Sequence, residues 1–226
     1  MTTIVFAGAQ ILLDAGGALY YPAEQLLVVA DLHIEKGRSI GLHLRRPLPP
    51  YDTRETLRRL SAAVVCYKPR TIVCLGDSFH DANASLSLEP TDRDAINFLA
   101  IDKRWIWITG NHDPSVPAGM GGEVVDQLKI GSLVFKHNYD GGTGVVIGHF
   151  HPVAATMLGG RLLRRRCFVA TKQVLIMPAF GSYTGGLNIR HPTLANLIGT
   201  EPDVFMLGAR GVYPIDRSRL ISDGKR

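Results

Sequence analysis

Five groups of ligand-type residues follow one another along the chain: Asp31-x-His33, Asp77, Asn111-His112-Asp113, His137 and His149-x-His151. Their donor atoms are carboxylate oxygens, imidazole nitrogens and an amide carbonyl, with no thiolate. That set suits manganese, iron or zinc and disfavours a calcium or magnesium site built purely of oxygens. Asp31, His33, Asp77, Asn111, His137, His149 and His151 make seven donors. Seven are too many for one tetrahedral zinc, but they suit two divalent ions sharing a bridging carboxylate and a water. Alternate residues of an extended segment point the same way, so each D-x-H or H-x-H pair is expected to reach one locus.

The segments that must position these groups share a design. LLVVADLH (26–33), TIVCLGD (71–77), WIWITGNHD (105–113) and VVIGHFH (145–151) each run from apolar, mostly β-branched residues into the ligands. Short apolar runs of this kind predict strands buried on both faces, as in a sheet covered by helices. Helical signals lie between the first three. Asp52 and Glu55 predict a capping box after Pro49 and Pro50, with Leu57, Leu60 and Val64 on one face. Residues 91–101 repeat the idea with Thr91 and Asp94 at the start and Ile96, Leu99 and Ala100 as apolar positions. The first half therefore reads β-α-β-α-β, and the second half reads as strands punctuated by Gly-Gly turns. Ligands in open α/β sheets collect at the carboxyl ends of strands. Glycine directly precedes the ligand in Gly76-Asp77, Gly110-Asn111 and Gly148-His149. It is the residue expected where backbone turns sharply or approaches a bound group closely.

The 226 residues fit one domain over 1–226, with no repeat or linker to divide it. Three cysteines, Cys66, Cys74 and Cys167, form neither a disulfide framework nor a zinc-ligand spacing. Glycines, Gln10 and Asp14 interrupt the apolar start, so no export signal is read. A cytoplasmic address is the expectation. A net charge of +5 permits a polyanionic partner.

The ordered set D-x-H, G-D, G-N-H-D, H and G-H-x-H resembles the binuclear metallophosphoesterase superfamily. The resemblance implies a calcineurin-like α/β fold, a four-layer α/β/β/α sandwich with two metals at the strand ends. It further implies that Asp31, His33, Asp77 and His151 hold one ion. Asp77 would bridge to the other, held also by Asn111, His137 and His149. His112 would face the substrate as the catalytic acid, oriented by Asp113. Hydrolysis would follow from a hydroxide, formed because metal binding lowers the pKa of water from about 15.7 toward 7, attacking phosphorus in line. Proton donation by His112 would be worth about 10²–10⁴ in rate.

DLHIEKG (31–37), PPYDTRETL (49–57), GDSFHD (76–81) and PAFGSYTGGLN (178–188) are similar to the DNA-ligase-associated metallophosphoesterases. That narrower resemblance implies a manganese-dependent endonuclease acting on single-stranded DNA in repair, grouped with DNA ligase, helicase and exonuclease partners. Residues 36–59 carry seven Lys/Arg against two acids. Of these, Arg38, Arg45 and Arg46 follow the first metal loop, and a second cluster is Arg161, Arg164, Arg165 and Arg166. Each cluster reads either as a grip on a phosphate backbone or as a solvated basic face. Tyr51 and Tyr183 are candidates for base stacking, and His80 for substrate contact. His43 and His191 fit no motif. A small-nucleotide or phosphomonoester substrate, and a scaffold without activity, stand as the alternatives. The intact GNHD argues against the scaffold.

Overall fold

Each buried strand divides its side chains between two cores, which fixes the layering. The structure is a computed structural model and describes residues 1–43, 49–80, 88–111 and 119–223. Arg45, Arg46, His112 and Asp113 lie outside the described residues.

The first sheet runs in the order β1 (Thr2–Phe6), β2 (Ala9–Leu13), β3 (Leu19–Tyr21), β4 (Leu26–Val29), β5 (Thr71–Leu75), β6 (Arg104–Ile108) and β7 (Glu123–Val125). From β4 onward the strands are parallel. Leu27, Val29, Ile72, Cys74, Trp105 and Trp107 face an outer core. There they meet Leu57, Leu60 and Val64 of α2 (Tyr51–Tyr67) and Ile96 of α3 (Pro90–Ala100). A shorter helix, α1 (Lys36–His43), precedes α2. The intervening residues Leu26, Val28, Val73, Leu75, Ile106 and Ile108 point the other way, into a central core.

The second sheet supplies the opposite wall of that core. It runs β14 (Leu187–Asn188), β11 (Pro152–Leu158), β12 (Arg161–Ala170), β13 (Val174–Ile176), β10 (Val145–Ile147), β9 (Leu133–Lys136) and β8 (Gln127–Ile130). Beside this path lie β15 (Asp203–Leu207), β16 (Val212–Ile215) and β17 (Leu220–Ile221). Phe135, Val146, Phe168 and Leu175 enter the central core. Val145, Ile147, Val169 and Ile176 enter a third core, with Leu194 and Ile198 of α4 (Pro192–Ile198). The layers are helix, sheet, sheet, helix, as expected. Full burial of each such side chain contributes about 1.5–3 kcal/mol relative to exposure. Three buried residues in a row (Val145, Val146, Ile147) can therefore hold a strand end whose next loop is strained.

Two sequence expectations resolve differently. The capping box at α2 is not formed: the helix starts at Tyr51 with no side-chain cap. Asp52 instead accepts a hydrogen bond from the Gly37 amide at 2.8 Å, and Glu55 pairs with Arg58 at 2.8 Å. At α3, Pro90 opens the helix and no side chain caps it. Among the described residues no helix is long and apolar enough to cross a membrane.

Candidate metal centre

The loops after β4 and β5 are joined by a continuation of the sheet's hydrogen bonds. The amides of Asp31, His33 and Ile34 donate to the carbonyls of Gly76, Asp77 and Ser78 at 3.2, 3.0 and 2.9 Å. This sets the D-x-H loop against the G-D loop. From the second sheet, the loop after β10 adds a cross-link: the His149 amide donates to both oxygens of the Asp31 carboxylate, at 3.1 and 3.0 Å.

Two triads result. Asp31, His33 and His151 bring ligand atoms within 4.8 Å of one another, and so do Asp77, His137 and His149. His33 and His151 face each other Nε2 to Nε2 at 3.2 Å, and His151 Nε2 lies 3.3 Å from Asp31. In the other triad His137 Nε2 lies 3.3 Å from both Asp77 Oδ2 and His149 Nδ1. His137 Nδ1 is 3.1 Å from the Leu75 carbonyl. A carbonyl only accepts, so Nδ1 carries a hydrogen and Nε2 is the atom turned into the cluster, the usual orienting bond of a metal-ligating histidine.

The glycines before the ligands serve close approach. A β-carbon on Gly76 would overlap the His137 imidazole, and one on Gly148 would sit 2.6 Å from the Asp31 carboxylate. The backbone of the ligands themselves is not extended. Asp31, His33, Asp77, His149 and His151 all have φ between 44° and 69°, the left-handed region that costs non-glycine residues about 1–3 kcal/mol each. Asp31 and His33 thus share a locus through left-handed turns rather than by strand alternation, whereas the H-x-H pair does not share one: His149 joins the Asp77 triad and His151 the Asp31 triad.

The electrostatics call for a cation. Asp31 is fully buried and Asp77 nearly so, and buried carboxylates require positive partners. Burial opposes charge on His137, but its hydrogen bond to Asp77, the charges of Asp31 and Asp77 and the bond to Leu75 outweigh it and raise its pKa. Burial, and then the charge of His137, push His149 down. Imidazole nitrogens facing one another at hydrogen-bond distance, beside two carboxylates, are a donor set that two divalent cations would satisfy.

The remaining sequence candidates lie as follows. Asn111 follows β6, is exposed, and accepts from Asn138 Nδ2 at 2.8 Å. That bond ties its amide to the residue after His137. His80 stacks edge-on to His33, ring centroids 5.9 Å apart, and its amide bonds Ile34. Arg38 is 3.3 Å from Glu89 and 3.8 Å from the buried Glu35. Arg164 pairs with Asp223 at 3.1 Å and donates to the Gly186 carbonyl at 2.7 Å. Tyr183 is exposed on the 181–186 loop. His191 accepts from the Thr193 amide at the start of α4.

Sequence reasoning missed the residues that brace the first metal loop. Segment 178–182 lies against it: Phe180 and Gly181 donate from their amides to the carbonyls of Ala30 and Asp31 at 2.7 and 3.2 Å. Arg166 holds this segment from behind, donating to the carbonyl of Ala179 at 2.7 Å and reaching those of Phe180 and Gly181 at 3.5 Å. Burial, with Arg59 adding to it, lowers its pKa to about 10, which leaves it charged at neutral pH. Thr53 and Thr56 of α2 bond Glu35 and Ser182. The available signal was an arginine directly before the buried run Cys167–Ala170. Arg166→Met is therefore expected to weaken cation binding at the Asp31 triad about 10–100-fold, with Arg166→Lys intermediate. A calorimetric manganese titration resolving two sites checks this. Equal weakening of both sites would mean general loosening instead.

A family model for calcineurin-like phosphoesterases matches residues 25–170, the span that holds all the ligand groups. Among solved structures, Pseudomonas putida nuclease MPE superposes with a TM-score of 0.72 at 29% identity, covering 95% of this chain and 99% of that one. Yfce, a phosphoesterase from E. coli, gives a TM-score of 0.41 at 14% identity, covering 87% and 96%. A sequence comparison with curated proteins finds no match. With two histidine–carboxylate triads at the strand ends, a helix–sheet–sheet–helix sandwich and more than half its length matched, this chain belongs to the calcineurin-like phosphoesterase family.

Proposed function

We propose that the protein is a manganese-dependent endonuclease that cuts single-stranded DNA in repair, in the setting of a DNA ligase, a helicase and an exonuclease. The observation that carries a phosphodiesterase is the pair of triads held side by side by the Asp31–Gly76 and His33–Asp77 backbone bonds. Likeness to a nuclease over nearly the whole of both chains supports a nucleic-acid substrate.

Asp31, His33 and His151, with Asp77 shared, would hold one ion; His137, His149, Asp77 and Asn111 the other. Two bound divalent cations supply a nucleophile at neutral pH and neutralise charge on the phosphoryl oxygens. Iron or zinc fits the same donors. The chain's own part begins with orientation. Leu75 fixes the His137 tautomer, the His149 amide fixes the Asp31 carboxylate, and the backbone bonds between loops fix the separation of the triads. His112 gives a proton to the leaving oxygen, and Asp113 keeps its ring aimed. His80, beside His33, and Tyr183 face the entering strand.

The test is a circular single-stranded DNA with manganese, which only an endonuclease opens. The unmodified protein is expected to linearise it, and His112→Ala to do so about 10²–10⁴-fold more slowly while still binding two equivalents of metal. An uncut circle beside ready hydrolysis of small phosphodiesters would overturn the DNA substrate. Equal cutting by both proteins would overturn the role of His112.

A further inference from the structure

The hairpin of β11 and β12 outruns its sheet, and the pairing register says in which direction. Val169 of β12 lies opposite Ile176 of β13, and Ile176 lies opposite Ile147, the last residue of β10 before the histidine loop. Because β12 is antiparallel to β13 and β13 parallel to β10, the path from Val169 back to Arg161 leads past the carboxyl end of β10. That is the end carrying His149 and His151. The path is eight residues long, or about 26 Å at 3.3 Å per residue.

Neighbours support only the lower part of this arm. Pro152 and Val153 pair with β14, and Ala155 and Thr156 with β17. On the other strand, β15 stops at Cys167. From Met157 to Leu162 the two strands pair with each other alone, and all six residues are exposed. Three are large and apolar: Met157 at 47%, Leu158 at 59% and Leu162 at 56% exposure. Met157 and Leu162 lie directly opposite each other on one face of the ribbon, and Leu158 lies on the other face, opposite Arg161 and on the side of Arg165. Large apolar side chains exposed on both faces of a tip mark an interaction surface.

The charge on the arm selects the partner. Residues 152–170 contain four arginines and no acid. Arg166 is spent on the 178–182 segment and Arg164 on Asp223. Among the described residues no carboxylate pairs with Arg161 or Arg165. A second copy of the chain docking arm to arm would set these like charges together, which is unfavourable. A nucleic acid matches both features: phosphates take guanidinium groups, and leucine and methionine are wedge residues that seat between unstacked bases.

We propose that the tip of the β11–β12 arm is a nucleic-acid-binding element, with Arg161 and Arg165 on phosphates beside Leu158 on one face and Met157 and Leu162 against bases on the other. It engages the strand some distance from the phosphodiester at the metal centre. At about 3.4 Å per stacked nucleotide, 26 Å corresponds to roughly eight nucleotides. The inference rests on the reading of the protein as a DNA phosphodiesterase.

The experiment compares the unmodified chain, Arg161→Gln/Arg165→Gln and Met157→Ser/Leu158→Ser/Leu162→Ser on three substrates. These are a single strand of about thirty nucleotides, a tetranucleotide and bis(p-nitrophenyl) phosphate, with salt varied for the long strand. For the arginine pair, kcat/KM on the long strand is expected to fall about tenfold, and its log–log salt slope to shrink by about 1.4, or 0.7 per lost phosphate contact. For the serine variant, long-strand cleavage falls with the slope unchanged. Both variants should keep wild-type rates on the tetranucleotide and the small diester, which also shows that they fold. Unchanged long-strand cleavage and salt slope in both variants would overturn the arm. So would a tip substitution that only converted an oligomer to a monomer in sedimentation. If the unmodified chain hydrolyses the small diester and leaves every DNA intact, the DNA reading itself fails.

Discussion

Alanine at His137 is expected to remove one of two equivalents of bound manganese and to lower phosphodiester hydrolysis by about 10³-fold or more. The ring is buried, with Nδ1 committed to Leu75 and Nε2 lying between Asp77 and His149. Truncation leaves the triad only Asp77 and His149, with the exposed Asn111 as the one further assigned donor. Loss of a metal that polarises a phosphoryl oxygen removes several kcal/mol of transition-state stabilisation, and each 1.36 kcal/mol is about tenfold in rate. The Asp31 triad draws its donors from other residues and should still bind one equivalent. Metal analysis of the dialysed protein beside its rate on a small diester measures both effects. Two retained equivalents with full activity would remove His137 from the centre.

Gly76→Ala should cost nearly as much without touching a ligand. A β-carbon there would overlap the His137 ring, and the residue sits at φ +72°. The left-handed backbone costs an L-residue about 1–2 kcal/mol, and overpacking a filled site adds about 1–3 kcal/mol. The ring cannot retreat while its Nδ1 holds the Leu75 carbonyl, because Leu75 directly precedes the substituted glycine. The expected outcome is a stability loss of about 2–5 kcal/mol in denaturant unfolding, with metal lost from the Asp77 triad first. Gly185→Ala is the matched control, since nothing lies within 4 Å of a β-carbon there and its φ is ordinary. If Gly76→Ala unfolded like Gly185→Ala and bound two metals, the close-approach account of the Gly-ligand pairs would be wrong.

The chemistry of the site was legible because it is local. Donor type is a property of each residue, and an apolar β-branched run such as Val145–Ile147 announces its strand and its end within a few positions. The helix faces of α2 and α3 were legible for the same reason, since their period shows in Leu57, Leu60, Val64 and Ile96. The antiparallel strands β1 to β3 were not read, because their short runs are broken by glycines and turn residues and take their identity from pairing with β4.

Side chains able to bond either near or far were read less well. Asp52 suits a helix cap by type, yet it bonds Gly37 because the chain brings α1 back across the start of α2. The arginines at 161–166 looked like one basic cluster. Strand register instead sent Arg166 into the carbonyls of 179–181, Arg164 to Asp223, and left Arg161 on an exposed tip.

The sequence by itself determined which atoms are available to bind metal and that they stand at strand ends, since residue type and short-range periodicity need no partner. The left-handed backbone of five ligands, the facing of His33 on His151 and of His137 on His149, and the bracing of the Asp31 loop by Arg166 were decided only by the tertiary structure. Each depends on bonds between residues far apart in the chain, and it is the packed cores beneath them that offset their strain.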